Sequence, residues 1–81
     1  MGLDLQMSVQ PNPTSGSIEV RLGRHVSGTA IIRNVLGQEM QRVLVQNAEN
    51  FQIDLEGPKG IYFIDLKTEE GDYSIIKVVK Q

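Results

Sequence analysis

The sequence predicts an all-β protein, an immunoglobulin-like antiparallel β-sandwich of about seven strands. Three observations carry that expectation. The segments between turn signals are short and rich in Val, Ile, Thr, Tyr and Phe, residues that suit a pleated, half-buried surface. They recur at intervals of about 8–12 residues, the spacing of a sandwich rather than of strands alternating with helices. No stretch carries an apolar i, i+3, i+4 stripe long enough for an amphipathic helix. An up-and-down or partly open barrel is the alternative way to close the same strands.

The first strand is expected over 5–10, where Leu5, Met7 and Val9 alternate with Gln6, Ser8 and Gln10. Pro11 and Pro13 end it, since neither can donate to a ladder. In Pro11-Asn12-Pro13-Thr14-Ser15-Gly16 proline presets φ, asparagine tolerates turn geometry, and Gly16 releases the chain into the next strand. That strand alternates Ile18, Val20 and Leu22 with Glu19 and Arg21. A turn is expected over 23–28, then a strand over 29–35 with Ala30 and Ile32 inward and Ile31 partly covered on the other face. Gly37 supplies the positive φ of a tight turn at Leu36-Gly37-Gln38. The chain returns as a strand over 39–45, crosses a polar connection over 46–50, and resumes with Phe51, Ile53 and Leu55 alternating against Gln52, Asp54 and Glu56. Gly57-Pro58-Lys59-Gly60 reads as a loop. The strands over 61–68 and 73–80 face each other across Glu69-Glu70-Gly71-Asp72, a hairpin bending at Gly71. The expected core is Ile18, Val20, Ile32, Phe51, Ile53, Leu55, Tyr62 and Ile64.

At 81 residues this is a single domain, spanning 1–81, with a thin core. Eight basic and ten acidic residues are well mixed and leave a net charge of −2, which gives no long-range pull on a polyanion and disfavours nucleic acid. The longest apolar runs fall far short of the ~20 residues that span a bilayer, so no membrane-spanning segment is expected. The start, Met1-Gly2-Leu3-Asp4-Leu5-Gln6, has neither a basic n-region nor an apolar h-region. There is no cysteine, hence no disulfide and no thiolate metal ligand.

Candidate chemistry is sparse. His25 is the only histidine, set among Gly23, Arg24 and Ser27, and nothing places a nucleophile and an orienting group beside it. It reads as a surface histidine, and no enzymatic activity is expected. Asp54 with Glu56, and Glu69, Glu70 and Asp72, are the carboxylate clusters, but neither has the spacing of a calcium loop. They read as a solvated strand face and a charged turn tip, with no metal or other cofactor. The aromatic residues are Phe51, Tyr62, Phe63 and Tyr73, and alternation turns at most one of Tyr62 and Phe63 outward. That is meagre for a face on which sugars stack, yet a carbohydrate-binding or adhesive module of a secreted enzyme stays the second reading, and a structural spacer the third.

Each turn is ordinary alone, but their conjunction is specific. Pro11-Asn12-Pro13 with Gly16, then Gly37 after a central strand, then Gly60-Ile61-Tyr62 and the closing Lys77-Val78-Val79-Lys80 together resemble the C-terminal sorting domain of the type IX (Por) secretion system. The resemblance runs from Val9 to the terminus. One departure is Asn34, where the family often shows Asp; asparagine can make similar local backbone bonds. The resemblance implies a non-catalytic export signal at the end of a larger cargo protein of a Gram-negative bacterium. It implies passage through the periplasm and across the outer membrane to the cell surface or medium. The implied partners are the outer-membrane translocon, a sortase-like peptidase that cuts many members from their cargo, and the upstream cargo domain, with the domain itself a monomer. On that reading Met1-Gly2 is an added start and the chain is part of a longer precursor. The segment 77–81 is expected to be an edge strand whose unpaired backbone a partner strand could use, with Lys77 and Lys80 discouraging self-pairing and offering charge.

Overall fold

The computed structural model describes residues 6–81. Leu5 of the expected first strand and the Met1-Gly2 start lie outside the described residues. The fold is all-β and antiparallel, and the described residues contain no helix. The strands are β1 (Ser8–Gln10), β2 (Ser17–Asn34), β3 (Glu39–Asp54), β4 (Gly60–Thr68) and β5 (Tyr73–Lys80).

Strand β2 organises the sheet. One of its edges carries β3, from Ser17 opposite Asp54 to Arg33 opposite Glu39. The other carries β1 opposite Glu19 to Arg21, and then β4 opposite Gly28 to Asn34. The order β1-β2-β4-β5 is completed by the expected β4–β5 hairpin, in which Thr68 N–H donates to Asp72 O at 2.9 Å and Gly71 N–H to Thr68 O at 3.1 Å.

Five strands replace the expected seven because two expected interruptions stay inside strands. Residues 23–28 were expected to turn, yet they remain in β2 as a bulged bend. Between the pairs Arg21–Asn50 and Val26–Ala48, five steps along β2 match two along β3. Val26 in the middle of the bend is buried and anchors it to the core. Gly28 ends the bend where β4 comes closest: a Cβ there would stand 2.2 Å from the Lys67 carbonyl oxygen, so only glycine admits that approach. The polar connection at 46–50 is likewise part of β3. Asn47 takes a φ of 44° there, and its N–H donates to Ser27 Oγ at 2.9 Å. Polar residues mark these bends in the sequence as surely as they would mark loops, and only the pairing partner distinguishes the two.

Even-numbered residues of β2 face inward on both sides of the bend, so one face of the sheet wraps a single core. Ile18, Val20, Ile32, Ile53, Leu55, Tyr62 and Ile64 are all at most 4% exposed, as expected. Leu22, Val26, Ala30, Val45, Leu66 and Val78 join them. Phe51 is a correction: it sits half-buried at the margin of the core. It lies opposite Val20, but β3 pairs only with β2 and leaves its far side without a neighbouring strand.

Candidate functional site

The motif residues of the front and back of the chain meet on β5. After β1 the chain runs alongside the end of β5, with Thr14 bridging Lys80 in parallel. Thr14 N–H donates to Val79 O at 2.9 Å, and Gln81 N–H donates to Thr14 O at 2.8 Å. The Asn12 carboxamide completes the seam: its Nδ2 donates to Lys77 O at 2.9 Å, and its Oδ1 accepts from Val79 N–H at 3.0 Å. Pro11 and Pro13, each preceded by a cis peptide bond, flank that asparagine. Thr14 is itself buried, with its hydroxyl donating to Ser17 O at 2.7 Å and accepting from Gly16 N–H at 3.0 Å.

On the other side of β5, Gly60 lies opposite Lys80 and Tyr62 opposite Val78. Val78 and Tyr62 both point into the core, and the Tyr62 hydroxyl donates to Pro58 O at 2.5 Å. Lys80 reaches across the same end, where Nζ donates to Leu55 O at 2.8 Å and Gly57 O at 2.7 Å. Pro11, Asn12, Pro13, Gly16, Gly60, Tyr62, Lys77, Val78, Val79 and Lys80 therefore form one assembly. Gly37 stands apart, in a turn organised by Asn34. There the Asn34 side-chain oxygen accepts from Leu36 N–H and Gln38 N–H, both at 3.0 Å, and Gly37 has a φ of 83°. Asparagine thus serves the turn as an aspartate would.

The expectation of an open terminal edge at 77–81 needs correcting. The outward backbone groups of Val79 and the Lys77 carbonyl are bonded to the strap at 12–14, and the Lys80 ammonium is held by two carbonyls. Lys77 keeps an exposed side chain. The strap was legible as a turn, but nothing in local pattern says that a turn will pair with a strand some 65 residues later in the chain.

The remaining candidates are placed as follows. His25 is exposed, with Nδ1 3.8 Å from a Glu49 carboxylate oxygen. Arg24 engages the turn carboxylates, at 2.5 Å from Asp72 and 3.4 Å from Glu70, and its guanidinium is held above its ordinary pKa chiefly by the Asp72 hydrogen bond. The described residues gather no group of three or more metal-binding side chains. Of the aromatic residues, Tyr62 belongs to the core, Phe63 is half-buried and Tyr73 is exposed on the outer face. Loss of water contact, followed by the neighbouring Asp65 carboxylate, raises the Tyr73 hydroxyl above its usual pKa. No helix among the described residues is long and apolar enough to cross a membrane.

The family model for the secretion system C-terminal sorting domain matches residues 8–81. The chain belongs to that family. No curated protein matches it. The sorting domain is a non-catalytic signal of type IX secretion, acting with the secretion machinery on a secreted or cell-surface cargo. The match starts at Ser8, the first residue of β1, and so takes in the whole described sheet together with the strap.

Proposed function

We propose that this domain is an export signal read in its folded form. The outer-membrane translocon recognises it, the cargo passes from the periplasm to the cell surface or medium, and a sortase-like peptidase then separates the two. The family match over residues 8–81 carries this reading, because it spans every motif residue rather than a terminal tail. The assembly of strap, Gly60, Tyr62 and β5 supports it further: motif residues far apart in sequence come together only in the folded chain. A monomeric immunoglobulin-like sandwich remains our reading of the architecture, since the halves of β2 and β3 on either side of their bends act as separate strands. The recognition role of the motif residues is part of the same proposal.

Fusion of residues 8–81 behind a periplasmic reporter tests it, in a bacterium with a type IX system. The reporter should reach the surface or medium, and should stay in the periplasm of a strain lacking the system. Retention of the fusion in a strain where another sorting domain exports the same reporter would contradict the proposal.

A further inference from the structure

The strap covers only the last part of β5. Because Val79 turns its N–H and C=O away from β4, strand alternation turns those of Lys77, Ile75 and Tyr73 the same way. Among the described residues nothing bonds to the outward backbone of Ile75 or Tyr73, or to Lys77 N–H. Beside this open edge lies the outer face of the sheet. Tyr73 and Ile75 are 51% and 52% exposed there, and Ile75 shares a shallow groove of about 370 Å³ with Phe63 and the exposed Val35.

That face carries charges of both signs. Arg33, Arg42, Lys67 and Lys77 stand on its rows with Asp65 and Glu39, Glu39 lying opposite Arg33 and paired with Arg42, and Glu69 borders the face near Tyr73. Arg33 Nε already donates to Asp65 Oδ2 at 2.9 Å, while Lys67 and Lys77 make no ion pair among the described residues. Two unpaired ammonium groups beside the exposed Tyr73 and Ile75 select a partner by complementarity.

We infer that residues 73–77 of β5 are the docking edge of this domain, where an extended acidic segment of a partner protein adds as a further strand. Main-chain bonds to Ile75 and its neighbours supply the hold. An apolar side chain of the partner covers Ile75 and Phe63, and a carboxylate meets Lys77. The strap sets the register, because it occupies Val79 and ends the free edge. The inference rests on the reading above that the secretion machinery recognises the folded domain.

Two variants test the edge in the reporter fusion. Ile75→Pro removes an N–H that points away from β4, so it breaks no ladder bond and blocks only the incoming strand. Lys77→Glu leaves the backbone alone and reverses the charge. With the reporter fusion still soluble and its far-UV spectrum unchanged, export should fall about tenfold for Ile75→Pro and about threefold for Lys77→Glu. Lys59→Glu, in the loop before β4, should export like the parent. If the parent is exported and both edge variants match it, the docking edge is wrong while the sorting reading stands.

A binding measurement judges the edge even if the parent fusion is not exported. A nine-residue peptide of alternating Glu and Val, titrated to about 1 mM into the labelled chain, should shift the amides of 73–77 and leave Ile75→Pro unmoved. No shift, or the same shift in the variant, overturns the inference. So does self-association at about 0.1 mM that Ile75→Pro abolishes, since the edge would then belong to a second copy.

Discussion

Asn12 and Gln41 use one device at two seams of the fold. Gln41 Nε2 donates to Asp54 O at 2.9 Å while its Oε1 accepts from Glu56 N–H at 3.0 Å. Asn12 treats Lys77 O and Val79 N–H in the same way. Each carboxamide spans a carbonyl and an N–H two residues apart, the pattern a neighbouring strand would offer, because a side-chain amide carries the same donor and acceptor as a peptide group. A carboxylate can accept but cannot donate. Gln41→Glu should therefore destabilise the domain by about 0.5–1.5 kcal/mol at neutral pH, through loss of the hydrogen bond to the Asp54 carbonyl and that carbonyl's repulsion of the new charge. The deficit relative to the parent should shrink below about pH 4, where the introduced carboxyl becomes protonated and regains a donor. Urea unfolding of both chains at pH 7 and pH 3.5 checks this. A second acid-sensitive group is native. The Arg42 hydrogen bond holds the Glu39 carboxyl below its usual range, so its contribution is present above the unfolded carboxylate pKa. That contribution is lost as pH falls through the folded value.

Strand β5 is first of all a structural element. Val78 is fully buried opposite Tyr62, Lys80 secures the loop at 55–57, and Gln81 closes on Thr14. Removing 77–81 should therefore unfold the domain and leave no intact platform, which far-UV spectra and urea titration would show as loss of a cooperative transition. Ile53→Ala, inside β3, should cost about 2–4 kcal/mol. These elements also show how far the sequence could be read. The alternation of Ile18, Val20 and Leu22, of Ile53 and Leu55, and the hairpin at Gly71 were all legible because strand period and turn chemistry are local. The bend at 23–28 was not: a bulge and a turn draw on the same Gly and polar residues, and the difference lies in whether β3 keeps pairing alongside. Val26 and Val78 escaped the expected core for related reasons. Val26 falls within a segment that looked like a turn, and Val78 within a terminal strand that looked like an open edge. The motif residues were recognisable from their order along the chain, whereas their meeting on β5 depends on pairing over long sequence distances.

At the scale of the molecule, the sheet brings its two outermost parts together, the strap after β1 and the end of β5. That closure divides the edge of β5 in two. Its last residues are sealed by Asn12 and Thr14, and its first residues stay open beside the exposed Tyr73 and Ile75 and the unpaired Lys67 and Lys77. The seal protects the domain from uncontrolled strand pairing, while the short open stretch is left for a chosen partner. Amide hydrogen exchange on the 81-residue chain and on Asn12→Ala tests this division most directly. In the parent, Val79 N–H should exchange at least about tenfold more slowly than Ile75 N–H, and Asn12→Ala should remove most of that difference. Equal exchange at Val79 and Ile75 in the parent chain, or firm protection of Ile75, would contradict a β5 edge that is half sealed and half open.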